Sequence, residues 1–281
     1  MVLEELVKSY KTKKHIDFIV TSRDKGNKED CYKEIVEVAK NNNLKVFDRQ
    51  NKFVINSDYS IAIGWRWLLD IKETKLIVIH DSLLPKYRGF SPLVNMLING
   101  EESIGATMIF ANEKMDEGNI IAQESRPIKY PIKIEKAIDI VGLLYVDLVN
   151  HFFNQILQGV NIKSQPQENI DATYSIWRDE EDYQINWNDT AENIKRMIDA
   201  VGYPYGNAKS KIGHPEKSID IVDAEVYSNT YEFELNHYGK VFKFEDGQPI
   251  VICGQGLLKI TKMLDEQGDE FKLKKLRTRF K

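Results

Sequence analysis

Cysteine is scarce in this chain. Cys31 and Cys253 stand far apart, neither beside a partner at metal-ligand spacing, which excludes a disulfide framework and a cysteine zinc site and fits two reduced thiols in an intracellular protein. Long apolar runs are missing too: no uninterrupted one approaches the ~20 residues of a membrane helix. Residues 1–14 lack the apolar core and small-residue cleavage site of a signal peptide. Positive charge is not in excess, since 39 Lys and Arg face 43 Asp and Glu, and a net charge of -4 argues against a nucleic-acid-binding surface. There is no Gly-x-Gly-x-x-Gly after a strand and no Walker loop, so dinucleotide and P-loop readings have no support. Internal repeats and low-complexity tracts are absent as well. What remains is a cytoplasmic protein whose 281 residues suffice for a large domain and a small one without disulfides.

Periodicity divides what is present. Val2, Leu3, Leu6, Val7 and Tyr10 recur at helical spacing. Strand-like runs follow at residues 16–21, 44–47, 59–63, 76–79, 105–111 and 119–128, with helices over 29–41, 92–98 and 135–157, the last stopped by Gly159. This alternation predicts an α/β domain with a mostly parallel sheet covered on both faces. Residues 161–171 are polar and read as a surface linker, and a helix is expected over 191–200. From Ala208 onward, short runs at 218–222, 231–235, 241–244, 249–253 and 257–260 are split by Gly239, Gly247, Gly254 and Gly256, which predicts a small antiparallel barrel or sheet. The expected division is a first domain over 1–207 and a small β domain over 208–281. Six of the last ten residues are Lys or Arg and read as a solvated tail.

The most informative segment is Val78-Ile-His-Asp-Ser-Leu-Leu-Pro-Lys-Tyr-Arg-Gly-Phe-Ser-Pro92. It places His80 at the end of an apolar run, before a turn-forming stretch and a helix start, which is how an α/β sheet presents a reactive side chain to a crevice. Met115-Asp-Glu-Gly118 then offers the Asp116 carboxylate in a glycine-containing loop. A histidine and a carboxylate on neighbouring strand ends can do general acid–base work.

These two segments resemble the formyltransferases that use 10-formyltetrahydrofolate, above all the sugar N-formyltransferases. The family pattern runs Asn-x-His-x-Ser-Leu-Leu-Pro, then Tyr-Arg-Gly, then Asp-x-Gly. His80, Ser82, Leu83, Leu84, Pro85, Tyr87, Arg88, Gly89, Asp116 and Gly118 match it. The resemblance implies a Rossmann-like formyltransferase domain followed by an open-barrel-like β domain. Two departures stand out: the family's first strand and its following loop are missing, and Val78 stands where the family has Asn.

By the same resemblance, Asp116 accepts a proton from the attacking amine and His80 donates to the formyl oxygen as it becomes an oxyanion. The folate is expected along Gly64, Trp65, Arg66 and Trp67, with Ser82, Leu83, Asn112 and Met115; Gly64 would let a ring approach the backbone, while either tryptophan fits a core as well as a pocket. Arg88 is a candidate for a substrate phosphate, with carbonyl hydrogen bonds inside its own loop as the alternative. Tyr174, Trp177, Arg178 and Tyr183 offer stacking faces and a guanidinium for a nucleotide sugar, or simply core. No metal is expected.

The reading is therefore transfer of a formyl group from 10-formyltetrahydrofolate to the amine of a UDP- or dTDP-linked amino sugar, in surface-polysaccharide synthesis, by a cytoplasmic homodimer with no membrane and no nucleic-acid partner. Two alternatives stand beside it: an enzyme like Met-tRNA formyltransferase, and a non-catalytic folate or sugar-nucleotide binder, the latter raised by Val78 and the missing first strand.

Overall fold

The computed structural model describes residues 1–23, 30–65, 67, 69, 74–228 and 231–281. Two compact units emerge. The first comprises Met1–Leu93, Ser103–Pro127 and Ile138–Ile176; the second comprises Val94–Glu102, Ile128–Ala137 and Trp177–Lys281. The chain runs α1 (Val2–Lys8), α2 (Tyr10–Lys13), β1 (Phe18–Thr21), α3 (Tyr32–Asn41), β2 (Lys45–Asp48), β3 (Tyr59–Ile63), β4 (Lys75–His80), β5 (Arg88–Gly89), α4 (Pro92–Asn99), β6 (Ser103–Phe110), β7 (Ile120–Pro127) and α5 (Ile134–Leu157). β8 (Tyr174–Ser175) and α6 (Ala191–Ala200) follow, then β9 (Ala208–Ile212), β10 (Lys217–Tyr227), β11 (Val241–Glu245), β12 (Gln248–Ile252) and β13 (Leu257–Leu264).

The expected α/β class with a separate β region is what the chain forms. β1 pairs in parallel with β2, and β3 in parallel with β4. Beyond β4 the sheet turns antiparallel, because β6 runs against β4 and β7 against β6. The order β3-β4-β6-β7 is thus mixed, and among the described residues no ladder joins it to the β1–β2 pair.

The four-stranded sheet buries one face against α5. Ile77, Ile79, Ala106 and Met108 meet Leu144, Leu148, Val149, Phe152 and Phe153, with Leu6 of α1 in the same cluster. The helical residues recur at three- and four-residue intervals, so they form one stripe. Gly159, at φ +64, ends the turn after α5, as a left-handed residue commonly does. By length and composition α5 could cross a membrane; its apolar stripe here is spent on the sheet.

In the second unit the five strands order as β11-β12-β13-β10-β9, all neighbours antiparallel. α6 packs on β10, and its N-terminus is capped by Thr190 Oγ1, which accepts from the Asn193 N–H at 3.1 Å. The strand expected over 231–235 is not formed. Its alternating aromatics, Tyr231 and Phe233, pack on Phe242 with ring centroids 4.9 and 5.2 Å apart, while Leu235 is exposed. The alternation reflects ring packing and not a ladder.

Leu148, fully buried against the sheet, and Leu143, 45 % exposed on the same helix, make a paired test. Leu148→Ala should lower the free energy of unfolding by about 2–5 kcal/mol. Leu143→Ala should change it by no more than about 0.5 kcal/mol. Urea denaturation of both variants measures the difference, and equal losses would contradict this assignment of the core.

Candidate active site

β4 positions the site through the two-residue period of a strand. Ile77 and Ile79 enter the α5-facing core. Val78 packs on the other side with Leu84, Ile109 and Ile120. His80 closes the strand on Val78's face, 7 % exposed, with Thr107 opposite it and Gln123 opposite Thr107. Those two polar side chains shape the turn that follows. Thr107 Oγ1 donates to Ser82 O (2.6 Å) and accepts from the Leu84 N–H (3.0 Å), while Gln123 Nε2 donates to Leu84 O and Thr107 Oγ1, each at 2.9 Å.

His80 Nε2 stands 2.7 Å from Tyr87 O, which can only accept, so this nitrogen carries a proton. The other nitrogen, Nδ1, faces Asp116 Oδ2 at 3.5 Å. That same oxygen accepts from the Gly89 N–H at 2.8 Å. Three segments therefore converge on one carboxylate: the end of β4, the β5 backbone and the 111–119 loop. The convergence needs unusual backbone. Tyr87 (φ +59) and Asp116 (φ +53) are left-handed, as is Gly89 (φ +101), where a side chain would also collide with Ser175 O. A Cβ on Gly118 would fall on the Phe110 carbonyl.

Among the other expected site residues, Ser82 is fully buried, and its hydroxyl donates to Lys86 O at 2.6 Å within its own turn. Leu83 sits over Gly105, where a Cβ would strike it. Asn112 Oδ1 accepts from the Lys114 N–H at 2.9 Å and so opens the loop, and Met115 is exposed at its tip. Gly64 (φ +56) follows β3, whose Ile63 pairs with Ile79, so it emerges at the same sheet end as His80. Among the described residues, no atom lies within 4 Å of where its Cβ would stand. Trp65 and Trp67 meet edge to face at 5.0 Å, and the buried Trp65 Nε1 has no acceptor among the described residues. Arg66 lies outside the described residues.

Arg88 is paired with side chains from distant segments and not with the carbonyls of its own loop. It is 1 % exposed, and its guanidinium reaches Gln167 Oε1, Asn169 Oδ1 and Tyr174 OH, with Glu117 Oε1 at 3.6 Å. Tyr174 is 63 % exposed beside it. Trp177, Arg178 and Tyr183 belong to the second unit, where Arg178 donates to Asn95 Oδ1 (2.6 Å) and to Asp182 O (3.3 Å). Gln167 and Asn169 were not legible as site residues, because their stretch is mostly polar; the one signal is that a buried arginine needs acceptors.

Asp81 points the opposite way from His80, as its neighbour on the chain must. Its carboxylate accepts from Tyr145 OH on α5. Burial pushes the carboxyl up to about 6, against a smaller pull downward from His80. Among the described residues, no group of three or more His, Cys, Asp or Glu could hold a metal ion.

Comparison with known proteins matches two family profiles: Formyl transferase over residues 7–137, and Formyl transferase, C-terminal domain, over residues 178–280. A Methionyl-tRNA formyltransferase of Staphylococcus aureus is 32% identical over 176 residues, covering 63% of this chain and 54% of that protein. The chain thus spans about half the length of the curated relatives it matches. Among solved structures, WlaRD, described as a sugar 3N-formyl transferase in the presence of dTDP and 5-N-formyl-THF, superposes with TM-score 0.61 at 20% identity, over 98% of this chain and 94% of that one. HypX from Aquifex aeolicus, in complex with tetrahydrofolic acid, gives TM-score 0.61 at 20% identity, over 92% of this chain and 46% of that one. The N-formyltransferase from Helicobacter canadensis, with folinic acid and dTDP-3-aminofucose, gives 0.60 at 16%, over 91% and 100%.

The Asp81 carboxyl makes stability depend on pH with a definite sign. Its folded value of about 6 lies above the ordinary 3.8, so the native state binds the proton more tightly than the unfolded chain. Stability is then lost as pH rises from about 4 through 6, and the loss stays constant above that. Asp81→Asn, neutral at every pH, should melt at a higher temperature than wild type near pH 7.5 and at the same temperature near pH 4. Thermal melts at both pH values check this, and an offset independent of pH would refute it.

Proposed function

The chain belongs to the formyl transferase family, and on that premise we propose that it moves a formyl group from 10-formyltetrahydrofolate to the amine of a nucleotide-linked amino sugar. The observation that carries the reading is the pairing of His80 Nδ1 with Asp116 Oδ2 at a sheet end. The site's own features suit a folate. Among the described residues, Gly64 leaves an open backbone position and the buried Trp65 Nε1 is a donor without an acceptor. When bound, the folate supplies an activated formyl carbon.

Asp116 is the proton acceptor for the attacking amine, and Gly89 N–H aims its carboxylate. His80 holds the formyl oxygen as it becomes negative. Because Nε2–H is engaged by Tyr87 O, the donor to that oxygen is a proton on Nδ1. Val78 adds none: it packs among Leu84, Ile109 and Ile120. Tyr174, exposed beside Arg88 and Glu117, offers a face for a sugar nucleotide on this unit. A net charge of -4 suits a small phosphorylated sugar better than the backbone of a tRNA.

A second reading, formylation of Met-tRNA, has one specific observation behind it, the 32% identity to the Staphylococcus aureus enzyme. The two separate in one assay. With 10-formyltetrahydrofolate and a panel of UDP- and dTDP-linked amino sugars, the protein should release tetrahydrofolate only when an amino sugar is present and yield a product heavier by one formyl group. His80→Ala and Asp116→Asn should each lower kcat by roughly 10²-fold or more. No sugar product, together with formylation of Met-tRNA, overturns the sugar reading; near-wild-type kcat in His80→Ala removes the oxyanion role from that residue.

A further inference from the structure

We infer that Gln167 is a positioning residue for Asp116: its side-chain amide locks the 116–118 loop in the conformation that presents the carboxylate to His80. The inference rests on the formyl-transfer reading for its kinetic consequence and on geometry for the rest. Gln167 lies between the two family profiles, in a segment that neither covers.

Both ends of the amide are committed. Gln167 Oε1 accepts from Arg88 Nε (3.1 Å) and from Arg88 Nη2 (2.8 Å). A guanidinium has donors only, so it dictates which end of the amide faces it. The two N–H bonds are thereby turned the other way. Gln167 Nε2 donates to Asp116 O at 2.7 Å and to Gly118 O at 2.8 Å. Those carbonyls bracket Glu117, whose carboxylate also faces Arg88.

The loop needs such a clamp. Asp116 holds a left-handed φ of +53 without being glycine, a conformation that persists only where the surroundings over-determine it. Arg88 is itself fixed by burial and by Asn169 and Tyr174, and its flanking residue Gly89 supplies the N–H that meets the Asp116 carboxylate. One side chain, Gln167, therefore ties the loop backbone to the guanidinium, while the backbone beside that guanidinium orients the carboxylate.

Gln167→Glu separates the two halves of the clamp. A carboxylate keeps and strengthens the contact with Arg88 but cannot donate to either loop carbonyl. We expect the melting temperature to hold, kcat to fall by about 10²-fold, the cost of a misplacement on the order of 1 Å, and KM for the folate to stay within about twofold. A second readout needs no turnover. In protein labelled with ¹⁵N-glycine, the Gly89 amide cross-peak reports its bond to Asp116 and is assigned by its displacement in Asp116→Asn. It should move in Gln167→Glu in the same direction. Gln167→Asn keeps the amide but not its reach, and serves for both readouts should the glutamate variant not fold. An unmoved Gly89 peak, or full kcat in the folded variant, overturns the inference. A displaced peak in a protein that formylates nothing, even as wild type, leaves the clamp standing and removes the formyl-transfer reading.

Discussion

A guanidinium buried to 1 % exposure must find acceptors for its N–H groups, and Arg88 is such a group. Left unpaired, a buried charge costs several kcal/mol, so the chain around it is constrained to bring oxygens to it. None of the bonded acceptors is local. Gln167, Asn169 and Tyr174 arrive from roughly eighty residues later, and the more distant Glu117 from the loop that carries Asp116. The short β5–β8 ladder, Arg88 with Tyr174 and Gly89 with Ser175, is the backbone counterpart of the same convergence. Satisfying one cation thus assembles three segments, and the carboxylate meets the imidazole where they cross.

The second constraint is the alternation along β4. Because successive side chains face opposite ways, the strand separates packing from chemistry within six residues. Ile77 and Ile79 hold α5, and Val78 and His80 face the other way. The rule continues past the strand end: Asp81 returns to the α5 side and meets Tyr145. It also accounts for what stands at position 78. The residue two before His80 shares its face but packs among three aliphatic side chains, so a valine is at home there.

The elements that declared themselves in the sequence are those whose side chains obey one period. α5 was legible because its apolar residues recur at three and four, and β4 because an apolar run ends in a motif. Periodicity says nothing about direction, and the antiparallel entry of β6 and β7 was not legible for that reason. It also cannot tell a ladder from ring packing, as Tyr231 and Phe233 against Phe242 show. His80 and Asp116 were found through their motifs. The residues that place them were not: Gln167 and Asn169 sit in a stretch whose composition reads as linker, and they matter only through a cation that lies far away in sequence. Arg88 itself could be read either way, since a guanidinium serves a phosphate and a carbonyl loop equally well.

Which ring nitrogen of His80 faces Asp116 is set by the arrangement around it and not by either residue alone. Tyr87, held at φ +59 with its N–H donating to Thr173 Oγ1 at 2.8 Å, turns its carbonyl onto His80 Nε2 and so decides which ring nitrogen is spent. With that nitrogen committed, a neutral ring would aim the Nδ1 lone pair at a carboxylate oxygen. The Gly89 N–H on the same oxygen keeps the carboxylate in line. What the fold contributes is the geometry that brings the two side chains together: a left-handed residue on each side, one backbone amide, and a buried arginine that holds the second residue's loop through Gln167.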